Sequence, residues 1–309
     1  LIRCYVFFLE DYATKAPRPA WIEHDLWDST LPIELSYTEK FHFLRALCRL
    51  QTHANIRARP EEASKNDSPG PRHYNDWGDK KAPVPYVTAE EEAYRLFFGI
   101  MPPWEHEEMG CVWTYLKTKY DPIYKEISDG LHDLVKKHGC EDYRYRSYFA
   151  HLPQDVRPPL RNIESIRGLE DLPDCTGSLA AIGPEFLYRL LHRTPLLRRD
   201  MVLSNADFMV DTFIGNRSRM FVGEDEMLPL RYPADRHAVR DFEQFWSTLP
   251  STERPNLGWK RVHLVPYTPE QTLEDALDLE GKREYGWNWG HAIWDDERLK
   301  IWKAPILED

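Results

Sequence analysis

The densest group of ionisable side chains in this sequence is Trp104-Glu105-His106-Glu107-Glu108. Carboxylates beside an imidazole are the ingredients of a tuned general base or a metal site. The same acids stand where a helix should begin, and carboxylates in a first helical turn answer the helix dipole. That account is preferred, so no metal is expected there. His132, His138 and Cys140 are a second candidate ligand set, but their spacing puts the two histidines on different helix faces. A basic last turn with Lys136 and Lys137 explains them better. Asp295-Asp296-Glu297 precede Arg298, Leu299, Lys300 and Trp302, and read as the acidic start and basic end of a capped helix. The sequence contains no Gly-x-Gly-x-x-Gly, phosphate-binding loop, Gly-x-Ser-x-Gly or His-Glu-x-x-His motif. No catalytic residue is assigned and no cofactor is expected.

Aromatic content is the other unusual feature: 11 Trp, 16 Tyr and 13 Phe. Trp287, Trp289 and Trp294, with Tyr285, Asn288, His291 and Trp302, form a C-terminal cluster that could line a groove. Tryptophan anchors both interfaces and cores, and core packing is the preferred reading of the cluster as a whole. The candidate binding residues are Trp104, Trp287, Trp289, His291 and Trp294. Two functions compete. One is a binding module. The other is an enzyme or small-molecule binder with a pocket formed by the 104–108 and 285–294 segments; the first is favoured.

These residues must be positioned by helices. The first sixteen residues carry Ile2, Tyr5, Val6 and Leu9 at helical spacing, with Tyr12 and Ala13 following, until Pro17 and Pro19 end the pattern. Ala20 to Leu35 has no period and reads as an ordered loop. Ser36-x-x-Glu39 is a capping box that opens a helix with Phe41, Leu44, Leu47, Cys48 and Gln51 on one stripe, widened by Phe43 and Leu50 and fading near Ile56. Residues 57–87 are rich in Pro, Gly and charge, too poor in apolar area to offset ordering entropy, and read as a mobile insertion. Thr88 and Glu91 form another capping box. From Trp104 the strongest stripe runs through Met109, Val112, Trp113, Leu116 and Tyr120, then Ile123, Ile127, Leu131, Leu134 and Val135 to Gly139, as two helices or one kinked at Pro122. Gly183-Pro184 opens a short helix, and further helical stretches cover Pro195–Phe213, Ala234–Trp246 and the segment capped by Thr268 and Gln271. Arg261–Val265 is the one strand candidate.

The chain has 309 residues and a formal charge of −11, a balance that repels a phosphate backbone, so no nucleic-acid partner is expected. Its five cysteines are scattered, which points to a reducing compartment, cytoplasmic or nuclear, with Cys4, Cys48 and Cys111 as inert core thiols. No apolar run approaches a membrane span. The chain begins with Leu1 rather than Met, so a fragment or a processed form is expected. The expected fold is predominantly α, an irregular multi-helix bundle with few or no strands. An N-terminal helical core (1–140) carries the insertion, and an irregular helical half (141–309) packs on it.

Three segments resemble a large group of filamentous-fungal proteins labelled F-box or F-box-like. They are Ser36–Gln51 (SYTEKFHFLRALCRLQ), the run Phe97-Phe98 to Pro102-Pro103-Trp104-Glu105 with Glu108 and Cys111, and Tyr285-Gly286-Trp287 followed by Ala292–Leu299. The resemblance implies a helical protein-interaction or substrate-recognition module of a ubiquitin-ligase receptor. Its F-box would dock on a Skp1-type adaptor. No F-box is visible in this chain, so that contact is expected through a segment upstream of residue 1. The group carries no agreed catalytic residues.

Overall fold

The computed structural model describes residues 2–57, 97, 101–137, 179–180, 182–205, 242–264 and 286–304. Of these, 74% are helical and none is in a strand, so the fold is predominantly α. Among the described residues no helix is long and apolar enough to cross a membrane. The chain divides into two units that interleave along the sequence. One comprises Leu1–Leu50, Pro85–Tyr115 and Arg217–Asp309; the other comprises Gln51–Val84 and Leu116–Asn216.

The first unit is built around aromatic rings. Its elements are α1 (Ile2–Lys15), α2 (His24–Thr30), most of α3 (Tyr37–Arg57) and most of α4 (Pro103–Thr118). Tyr12 of α1 lies 4.6 Å from the Phe43 ring of α3, 5.0 Å from Tyr115 of α4 in a T-shaped pair, and 5.3 Å from Trp294, stacked. Gly290 has φ +80°, and a Cβ there would strike the Tyr12 hydroxyl, so glycine is required by conformation and by space. Trp27 and Trp294 both pack edge-on against Trp302.

The face of α1 differs from the predicted stripe. Cys4, Phe8 and Tyr12 are buried, whereas Ile2 and Val6 are exposed. The two aromatics bury more area than the aliphatics would, and they decide the facing. In α3 the capping box forms as expected: Ser36 N–H donates to Glu39 at 2.9 Å and Glu39 N–H donates to the Ser36 hydroxyl at 3.1 Å. The predicted stripe is displaced in part: Leu47, Gln51, Phe43 and Leu50 are buried as expected, and Phe41 and Cys48 are not. Glu39, His42, Phe43, Ala46, Leu47, Leu50 and Gln51 are buried, while Phe41 and Cys48 are exposed and Leu44 is half-buried. Cys48 is therefore not a core thiol; Cys4 and Cys111 are buried. The Ala20–Leu35 stretch, expected to be loop, holds α2, which buries Trp27 and lets its indole donate to the Ala16 carbonyl at 3.1 Å.

After α8 (Phe242–Ser247), the strand candidate is helical over its described residues, 261–264: α9 runs Leu257–Leu264, and 265 lies outside the described residues. Asn256 sets its start. The side-chain oxygen accepts from Trp259 N–H at 2.7 Å, and the amide donates to the carbonyls of His291 at 2.6 Å and Trp294 at 2.8 Å. That cap commits the backbone to a helix before the alternation of Val262 and Leu264 can matter. A 3-10 turn at Trp287–Trp289 and α10 (Asp296–Ile301) complete the described unit.

The second unit holds α5 (Asp121–Lys137), α6 (Pro184–Leu191) and α7 (Pro195–Asn205). The pattern from Trp104 is thus two helices, separated by a turn at Lys119–Tyr120. Leu116, Tyr120, Ile123, Ile127 and Leu131 are buried as the stripe predicts. Gly183, with φ +103°, opens α6, and Gln51 accepts from Glu185 N–H at 2.9 Å, satisfying a first-turn donor. Arg198 of α7 bonds Glu126 of α5. The insertion beyond residue 57, the caps at Thr88 and Thr268, Gly139, and the far parts of the 195–213 and 234–246 stretches lie outside the described residues.

Leu116 sits mid-stripe and is buried. Leu116→Ala is expected to cost about 2–5 kcal/mol in urea unfolding. A loss within about 0.5 kcal/mol, the scale of surface substitutions, would show the facing of α4 to be wrong.

Candidate functional site

Glu105, His106, Glu107 and Glu108 are all buried. The dipole account of these acids is therefore incomplete, because burial of carboxylates demands direct partners. Arg45 and Arg49, one turn apart on α3, provide two of them. Arg45 reaches Glu108 through two bonds of 3.0 and 2.6 Å and Glu105 at 2.8 Å; Arg49 also pairs with Glu105. Burial pushes both carboxyls above the usual carboxylate range, and the guanidiniums pull them back. Arg45 is itself buried, and Glu108 and Glu105 hold it charged against that burial.

Glu107 faces the C-terminal segment instead. It accepts from the Trp287 indole, and its carboxylate lies 3.9 Å from His291 Nε2. One turn further along α4, Cys111 Sγ lies 3.6 Å from His291 Nδ1. The order Cys111–His291–Glu107 has the outline of a thiol, base and orienting acid. Its environment opposes that chemistry. Exposures are 2%, 1% and 1%. Burial pushes the Cys111 thiol well up and the His291 imidazole down, so a protonated thiol faces a neutral ring. Gly110 and Gly286 allow this packing: a Cβ on Gly110 would meet the Trp287 ring, and one on Gly286 the His291 ring.

The predicted site residues separate into two groups. Trp287, His291, Trp289 and Trp294 share the C-terminal turn, and the first two meet Glu107. Trp104 is directed elsewhere, donating to the Glu253 carbonyl at 2.9 Å and packing 5.7 Å from Trp259. Trp104, Trp289, His291 and Trp294 are buried; Trp287 is half-buried and Asn288 exposed. Among the described residues, no group of three or more His, Cys, Asp and Glu is arranged to hold a metal. Within the second candidate ligand set, His132 is exposed and bonds the Ser128 carbonyl at 2.8 Å, while 138 and 140 lie outside the described residues.

A second cluster was hidden behind ordinary capping signals. Glu39, fully buried, serves as capping residue and also takes Arg298 at 2.5 and 2.8 Å and the Asp295 N–H at 3.1 Å. Asp295 stands at the N-cap position of α10 without capping it by side chain; its carboxylate accepts from the Ser36 hydroxyl. Arg298 also donates to the Glu34 carbonyl at 2.7 Å. Nothing in the local sequence distinguishes such acids from helix-start acids. The paired spacings of Arg45/Arg49 and Glu105/Glu108 were the available signal.

Compared with protein-family models, curated proteins and solved structures, the chain matches none at a significant level.

Two outcomes follow from the burial of these charges. Arg45→Ala leaves Glu108 and Glu105 buried without their fork, and should cost about 3–5 kcal/mol in denaturant unfolding. Arg45→Lys should restore only part of it, because one ammonium cannot make both bonds. His42 is buried too, and burial, then the nearby Arg45 charge, lower it from 6.5 to about 4. Its folded value lies below its unfolded value, so its contribution is present above pH 6.5 and is lost as pH falls towards 4. The full difference is on the order of 3 kcal/mol. Glu105 and Glu108, shifted upward, act with the opposite sign, so the measurement is the difference in unfolding free energy between wild type and His42→Asn across that range. A difference independent of pH would show that His42 takes up its proton in the folded state as readily as in the unfolded one.

Proposed function

We propose that this chain is a protein-interaction or substrate-recognition module, the recognition part of an F-box-like ubiquitin-ligase receptor. The observation that carries the reading is the outward face of α3, where Tyr37 (75% exposed) and Phe41 (37%) stand in line with half-buried Leu44 and exposed Cys48. An apolar stripe left on the surface of a helix is the kind of feature that recognition surfaces use. The ubiquitin-ligase assignment and the Skp1-type adaptor rest on the resemblance of the Ser36–Gln51, Phe97–Cys111 and Tyr285–Leu299 segments alone, and the reducing cytoplasmic or nuclear setting on the five scattered cysteines. A net charge of −11 argues against a nucleic-acid partner.

The rival, a pocket enzyme, draws on the contact of Glu107 and Cys111 with His291. Those groups are packed at 1–2% exposure, where a substrate has no access.

The test is affinity capture from a filamentous-fungal lysate, with the chain alone and with any coding sequence that precedes residue 1. Recovery of a defined protein by the chain, and of a Skp1-type adaptor by the longer form, is the expected result. Recovery of neither above a control helical protein would remove the reading.

A further inference from the structure

Glu107 Oε2 stands before two nitrogens at once. The Trp287 indole donates to it, and His291 Nε2 lies 3.9 Å from the same oxygen, beyond hydrogen-bond reach. His291 Nε2 is buried and has no hydrogen-bond partner. A polar atom left in that condition costs free energy, and the carboxylate oxygen beside it is already taken. The two rings are held with different firmness. On His291, Nδ1 faces Cys111 Sγ at 3.6 Å, the Gly286 backbone lies against the ring, and the Trp289 ring is 5.9 Å away. Trp287 is half-buried, and its ring rests on Gly110, where no side chain opposes it. Trp287 is therefore the one that can leave.

With the indole withdrawn, Oε2 is free to take an Nε2–H. A carboxylate bonded there favours the imidazolium, and an imidazolium beside Sγ favours the thiolate. One proton passes from Cys111 Sγ to His291 Nδ1 while Glu107 holds the Nε2–H. In the arrangement observed, burial keeps the thiol protonated and the ring neutral. We infer that Trp287 is an autoinhibitory latch: while its indole holds Glu107, His291 is kept from the pairing that would activate the Cys111 thiol. The latch goes beyond the recognition reading and stands or falls without it.

The test uses the full chain and iodoacetamide, with alkylation read at Cys111 by peptide mass spectrometry. The thiolate forms the S–C bond and iodide leaves. Trp287→Phe keeps a ring over Gly110 and deletes the N–H. Gly110→Ala keeps the N–H and pushes the ring aside, because a Cβ there strikes it. Each should raise the alkylation rate at neutral pH at least about tenfold, the gain in thiolate when a thiol pKa falls by about one. Adding Glu107→Gln, a neutral side chain that does not favour the imidazolium, should return the rate to the wild-type value. Equal rates in wild type and both variants would overturn the latch. So would a rise that Glu107→Gln leaves in place, since that marks loosened packing and no re-pairing of Glu107. If one variant unfolds, the other decides. Unfolding of both would also overturn the latch, because a latch releases without undoing the fold.

Discussion

A carboxylate with no exposure to water fixes the first unit. The carboxylate of Glu39, taken wholly out of water, needs hydrogen-bond donors in its place. One of its donors is local, the Ser36 N–H in the turn that starts α3, and the others arrive from the far end of the chain, as Arg298 and the Asp295 amide. Meeting that requirement sets the rotation of α3 about its axis. With Glu39 inward, Phe43, Leu47 and Leu50 follow it into the core, and the Tyr37–Cys48 row is turned outward. The same constraint holds α10 beside the start of α3, which brings Trp294 onto Tyr12.

The polar groups of α4 repeat the theme with a different consequence. Glu105 and Glu108 face Arg45 and Arg49, so α3 and α4 are matched through a fork geometry that tolerates little sliding. Glu107 and Cys111 face His291, which ties α4 to the C-terminal turn. Replacing such pairs by apolar side chains can raise stability in other proteins. Here their geometry gives the helices one register, where leucine rows alone would accept several.

The existence of the helices was legible from periodicity and caps. The Ser36 box, the split near Pro122 and the Gly183-Pro184 start are all local signals, and each acts within one turn. The facings of α1 and α3 were only partly legible, for two different reasons. In α3 the inward side carries Glu39 and His42, which hydropathy counts as surface; in α1 the aromatic pair Phe8 and Tyr12 outweighs Ile2 and Val6. The helix α9 was missed because its start depends on Asn256 bonding carbonyls of His291 and Trp294, more than thirty positions on. The tryptophan cluster was correctly seen as dense, but which of its members are covered depends on Tyr12, Trp21 and Trp27, at the opposite end of the sequence.

That dependence has a consequence for how the chain is made. On the ribosome α1 and α3 emerge early, with Phe8, Tyr12, Trp27 and Phe43 displayed and Glu39 lacking its arginine. Nothing synthesised before the 286–304 segment supplies Trp294, Trp302 or Arg298. The first unit therefore cannot close before the 286–304 segment has been made, and until then these aromatic side chains lack part of their cover. A chain cut before Arg298 can form α1 and α3 yet lacks the groups that close over them.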